Sequence, residues 1–124
     1  MKIVPGMPRD EVYRTYAQGR VLVLTSEIEA LSLVSAEATM AGVPPILSDS
    51  GGMPEVVCDG ITGFIVPLAD TRLLAERIVT CLTDRDVSER LVEHGQKFFS
   101  QFTIQSMMDR LDEIYQDVVA LDDK

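Results

Sequence analysis

Basic residues, histidine and long apolar runs are what this chain has little of. Eleven Lys and Arg stand against 20 Asp and Glu, giving a net charge of −9 at neutral pH. Nucleic acid is bound by basic patches, and an anionic membrane surface asks for the same, so this balance argues against both as partners. With one histidine, His94, and two cysteines, Cys58 and Cys81, outside any CxxC spacing, the chain offers little to a metal ion. The cysteines read as reduced thiols of a cytosolic protein. No apolar run approaches the roughly 20 residues of a transmembrane helix. The opening MKIVPGMPRDE has no apolar stretch of signal-peptide length. The expected location is therefore cytoplasmic. Repeats and low-complexity tracts are absent too.

What remains is the composition of an ordinary globular domain. Hydrophobic residues make up 46% and charged residues 25%, and 124 residues suffice for one domain with a core. The pattern along the chain is that of alternating strands and helices. Lys2 to Val4 reads as a short strand ended by Pro5-Gly6. Pro8 to Gln18 reads as a helix burying Val12, Tyr13, Tyr16 and Ala17, with Asp10 and Glu11 suiting the positive end of its dipole. Val21 to Leu24 is apolar without alternation, as a strand covered on both faces should be.

A helix is expected from about Ser32 to Gly42, stopped by Gly42 and Pro44, with Leu33, Val34, Ala36, Met40 and Ala41 inward. Pro44 to Ser48 reads as the next strand. Asp49 to Gly52 is a turn, Met53 to Val57 a short helix with Pro54 in its first turn, and Phe64 to Val66 a last strand. Three helices then follow. Asp70 or Thr71 caps the first, with Leu73, Leu74, Ile78, Val79 and Leu82 apolar. The second runs from about Asp86 with Val87, Leu91, Val92, Phe98 and Phe99 inward. The third starts near Thr103, and its stripe of Ile104, Met107, Met108, Leu111, Ile114, Tyr115 and Val118 reads first as core. Its many acids read as a solvated face.

Glu29 and Glu37 stand eight residues apart, on either side of the start of the Ser32 helix. The first-turn amides of such a helix, around Ser32, Leu33 and Val34, lack intrahelical acceptors and sit at a mildly positive end. That end suits a diphosphate, and a carboxylate further in suits a vicinal diol such as a ribose. Acids are common here, however, so spacing alone also fits a loop acid and a solvated helix-face residue. The Gly51-Gly52 pair is either a plain tight turn or a place where amides approach a ligand.

The surrounding residues are more specific. Ser26, Glu29, Leu33, Glu37, Ala38, Ala41, Gly42, Pro44, Asp49, Gly51, Gly52, Glu55, Asp59, Gly60 and Gly63 fall in register with a family pattern. It runs Ser-x-x-Glu, Gly-Phe-Gly-Leu, Glu-Ala-Met-Ala-x-Gly-x-Pro, Asp-x-Gly-Gly-x-x-Glu and Asp-Gly-x-x-Gly. The stretch resembles the C-terminal domain of retaining, nucleotide-sugar-dependent glycosyltransferases of the GT-B fold (family 4, glycosyl transferases group 1). The resemblance runs the length of the chain but covers only about half of a family C-terminal domain. The upstream strands, with a basic pair for the donor phosphates, have no counterpart, and Arg9, Arg14 and Arg20 are not obvious substitutes. The N-terminal acceptor domain, to which the family's last helix crosses back, is expected to be absent as well, which would leave part of the third helix's stripe without a partner.

The resemblance implies an α/β fold: part of a Rossmann-like parallel sheet, the C-terminal half of a GT-B C-domain, followed by three C-terminal helices. Residues 1–124 would form a single partial nucleotide-sugar-binding domain. Glu29 would contact the donor sugar and carry catalysis. Glu37 would hold the ribose hydroxyls. Ser32, Leu33, Val34, Gly51 and Gly52 would meet the donor phosphates and sugar. The substrate would be a UDP-, GDP- or ADP-sugar, with hexosyl transfer to an acceptor hydroxyl and retention of configuration. No metal and no further cofactor is expected, because helix dipole, amides and basic side chains neutralise the diphosphate.

Ala30-Leu31-Ser32 departs from the family's Gly-Phe-Gly, which reshapes the sugar pocket. With half of the domain missing, Val21 to Leu24 would keep an unpaired side. The isolated chain is therefore expected to transfer little or no sugar. It should self-associate along that strand, or be completed by a companion chain or a larger protein that could place it at a membrane. A non-catalytic nucleotide-sugar-binding or partner subunit, and a GT-B epimerase or phosphorylase, are the alternatives.

Overall fold

The computed structural model describes residues 3–122. In chain order they form α1 (Arg9–Gln18), β1 (Leu22–Leu24), α2 (Leu33–Met40), β2 (Pro45–Ser48), α3 (Met53–Val56), β3 (Phe64–Val66), α4 (Thr71–Thr83), α5 (Arg85–Phe99) and α6 (Ile104–Asp122). The strands make one parallel sheet in the order β1-β2-β3. Val23 is opposite Ile46, and Leu47 is opposite Ile65.

All four residues of β2 are buried, as the middle strand of a covered parallel sheet requires. Pro45 opens the strand, where its missing N–H interrupts least. Successive β2 side chains then point to opposite faces. Ile46 joins Phe64, Val66, Cys81 and Leu91, with Leu73, Leu74 and Ile78 of α4 against them. Leu47 joins Met53, Val56 and Val57, with Leu24, Ile65 and Phe99 against them. α5 reaches both layers, through Leu91 to the first and Phe99 to the second. Asp84 ends α4 and begins α5: its N–H donates to Thr80 O at 2.8 Å, and its Oδ1 accepts the Val87 N–H at 3.0 Å. Asp70 caps α4 through the Leu73 N–H, as the sequence predicts.

Four sequence expectations differ from the structure. Ile3 and Val4 are not in a strand: among the described residues no strand other than β2 pairs with β1, and Lys2 lies outside them. α1 buries nothing fully: Val12 and Tyr16 are half-buried, and Tyr13 and Ala17 are exposed, because α1 packs chiefly on α2. α2 turns a different face inward. Leu33, Val34 and Met40 are exposed, whereas Ser35, Ala38 and Thr39 are buried. The cause is the close approach of α5, where a Cβ on Gly95 would lie 2.5 Å from Thr39 Cγ2. Only small side chains fit between the two helices. Their hydroxyls are satisfied locally, Ser35 Oγ donating to Ser32 O and Thr39 Oγ1 to Ser35 O. Gln96 of α5 closes the join, its Nε2 donating to Thr39 O at 3.2 Å at the C-terminal end of α2. Finally, the stripe on α6 is not core: every side chain from Ile104 to Ala120 is exposed.

Candidate functional site

Parallel strands bring their following loops to one end of the sheet. The loop after β1 is bound there to the turn after β2. Ser48 Oγ donates to Ser26 O at 2.7 Å, Ser50 Oγ donates to Glu27 O, and the Gly52 N–H donates to Glu29 O at 2.9 Å. The two backbones touch: a Cβ on Gly51 would lie 2.1 Å from Glu29 O, and one on Gly52 1.9 Å from Ala30 O. Gly51 also has φ +55°. The glycine pair is thus required by loop-to-loop contact, and the Gly52 amide, expected to face a ligand, already has an acceptor. Among the described residues the half-buried Glu29 carboxylate accepts no hydrogen bond.

Ser32 caps α2. It is 2% exposed, and its Oγ accepts the Ser35 N–H at 3.3 Å. The Leu33 N–H turns back to Leu31 O at 2.9 Å, so it too is occupied, contrary to expectation. The Ser32 and Val34 N–H groups have no acceptor among the described residues, which leaves two donors at the positive end of the helix.

Glu37 lies about 7.5 Å further along α2, at 1.5 Å per residue. Its carboxylate is met from α1. Oε1 accepts from Arg9 Nη2 at 3.4 Å and from Tyr13 Oη at 3.3 Å, and Oε2 accepts from Tyr16 Oη at 3.4 Å. Arg9 Nε donates to Tyr13 Oη at 2.7 Å, and the guanidinium lies over the Tyr13 ring. Burial, and then the neighbouring Glu37 charge, push the Tyr16 hydroxyl above its ordinary range. The hydrogen bond to Tyr13 raises Arg9, with Glu37 adding to it.

Ser32, Leu33, Ala36, Glu37 and Met40 form one wall of a cleft of about 590 Å³. Across it stand Glu55 and Val56 of α3 with Phe98, Phe99 and Phe102, and Tyr13 and Leu31 complete the rim. The three phenylalanines pack edge to face, with Phe98 centred 5.1 Å from Phe99 and 5.2 Å from Phe102. Of the sequence-predicted residues, the cleft unites Ser32, Leu33 and Glu37. Glu29, Gly51 and Gly52 are united with one another in the adjoining loops, and Val34 contributes its amide. Sequence reasoning missed the roles of Arg9, Tyr13 and Tyr16, and missed Phe102 altogether. The signal available was two tyrosines three apart on a helix preceding the acid. Among the described residues no group of three or more His, Cys, Asp or Glu side chains could hold a metal ion.

A three-stranded parallel sheet with helices against it, and a cleft beside the helix that carries Glu37, is the architecture of an α/β domain of the Rossmann-like class. The chain belongs to the glycosyl transferases group 1 family, whose model matches residues 1–98. Its fold is that of the GT-B glycosyltransferase C-domain. It is 32% identical over 117 residues to N-acetyl-alpha-D-glucosaminyl L-malate synthase of Bacillus anthracis, covering 94% of this chain and 30% of that protein. The structure superposes on sucrose-phosphate synthase from Thermosynechococcus elongatus with a TM-score of 0.80 and 27% identity, over 95% of this chain and 30% of the other. It also superposes on Anabaena HepE in complex with UDP-glucose, with a TM-score of 0.76 and 23% identity, over 88% of this chain and 30% of that one. The chain thus spans about 30% of the length of these proteins.

Proposed function

We propose that this chain is a single partial domain that binds a nucleotide diphosphate sugar. Completed by an acceptor-binding body, it would transfer the hexosyl group to an acceptor hydroxyl with retention of configuration. One observation carries the reading: Glu37 and the capped start of α2 face the same cleft. A diphosphate placed at the Ser32 and Val34 amides is favoured by the helix dipole. A ribose one and a half turns away then meets Glu37, whose oxygens accept from its hydroxyls. Glu29, on the loop before the helix, is left to the sugar. The named activities of the relatives, and the UDP-glucose held by HepE, agree with a nucleotide-sugar donor. The free edge of β1 and the uncovered stripe of α6 are surfaces that further strands and an acceptor-binding body would cover, and either a companion chain or a further domain would serve. Without it, transfer should be negligible.

The test is thermal unfolding of the chain with UDP, GDP and ADP. A nucleotide that binds only the folded state adds about 2.7 kcal/mol at a hundredfold excess over its dissociation constant. One of the three is expected to raise the melting temperature of the wild type and to leave Glu37→Ala unmoved. No rise with any of them would overturn the reading.

A further inference from the structure

We propose that Tyr16, supported by Tyr13 and Arg9, is a positioning residue that holds Glu37 Oε2 toward a ligand hydroxyl in the cleft. The proposal rests on the reading of Glu37 as the diol acceptor. A glutamate on a helix surface has three rotatable bonds, and α1 supplies what restrains this one. A carboxylate offers about four acceptor positions. Oε1 receives two donors, Arg9 Nη2 and Tyr13 Oη, whereas Oε2 receives only Tyr16 Oη. Oε1 is therefore filled, and Oε2 keeps one position for a ligand.

Tyr13 is itself oriented by the Arg9 Nε–H, so the hydroxyl proton it gives to Glu37 is directed. Tyr16 is half-buried and is not part of the cleft wall, so it acts through Glu37 and not on the ligand. A tyrosine hydroxyl is protonated throughout the neutral range, and burial and then the Glu37 charge push this one further from losing its proton, so it remains a donor.

The experiment compares wild type, Tyr16→Phe, Glu37→Gln and the double variant by calorimetry. The ligands are whichever of UDP, GDP or ADP binds tightest, and its 2′-deoxy and 3′-deoxy forms. Tyr16→Phe removes one oxygen and keeps the ring against α2. It is expected to weaken the ribonucleotide roughly threefold to tenfold, the range of one net hydrogen bond. It should cost nothing against at least one deoxy form, and nothing further in the Glu37→Gln background. An equal loss on all three ligands would mean a merely structural role and overturn the proposal. So would an unchanged affinity in Tyr16→Phe where Glu37→Gln binds weakly, which leaves the reading of Glu37 intact. If Glu37→Gln binds as the wild type does, or the wild type binds none of the nucleotides, the reading of Glu37 fails and this inference with it.

Discussion

Cys81 is 3% exposed among Ile46, Phe64, Val66 and Leu91, and burial raises its thiol above the ordinary value of 9.0. The folded state therefore keeps a proton that the unfolded state releases. Stability from this group is full below about pH 9 and is lost as pH rises through the folded value. Tyr16 behaves alike from its ordinary 10.0 upward. Urea denaturation between pH 8 and 10.5 should show a level stretch and then a fall. Cys81→Ser should remove the part that begins near pH 9 and leave the part due to Tyr16. A stability that climbs through pH 9 would contradict the burial. At this scale the sequence was legible where a local signal acts: Ser32 begins α2, which puts Glu37 on the helix and Glu29 in the loop before it. Arg9, Tyr13 and Tyr16 were not legible as partners of Glu37. Their meeting depends on how α1 lies across α2, which no local pattern encodes.

Among elements, the join of α2 and α5 leaves no room for a larger side chain at its centre. Thr39 Cγ2 lies 2.5 Å from where a Gly95 Cβ would be, and Thr62 O lies 3.3 Å from it. Gly95→Ala should therefore push the helices apart, although alanine is the better helix former. Overpacking of this kind costs about 1–3 kcal/mol. Chemical denaturation would measure it, and a stabilised Gly95→Ala would show the join to be loose. Strands and helices were legible because apolar runs and caps such as Asp70 are local signals. The inward face of α2 was not. Leu33, Val34 and Met40 look like core by hydrophobicity, but the space beneath the helix is set by a glycine 56 residues beyond Thr39. The same limit applies to Ile3 and Val4, whose composition suits a strand that has no neighbour to join.

The molecule as a whole has more surface than its mass calls for. A compact monomer of 13.7 kDa exposes roughly 6,600 Å², and this chain exposes 8813 Å². Much of the excess belongs to α6, with Ile104 80% and Val119 62% exposed, and some to the open side of β1, where Val23 is 38% exposed. Surfaces of this kind associate. Sedimentation at micromolar concentration should show dimers or larger species, reduced by Val23→Lys if the strand edge is the contact. A cooperatively folded monomer would count against the expectation. That β1 would keep an open side was expected from the sequence, and among the described residues β2 is its one neighbour in the sheet. That α6 would stand uncovered was only half legible, because a regular apolar stripe looks the same whether its partner is present or not.

The side chain of Gln96 and the close contact at Gly95 tie α2, which carries Glu37, to α5. α6 adds no comparable join, since every side chain from Ile104 to Ala120 is exposed. The cleft wall is thus braced from within, and the last helix hangs from it like an unfastened strap.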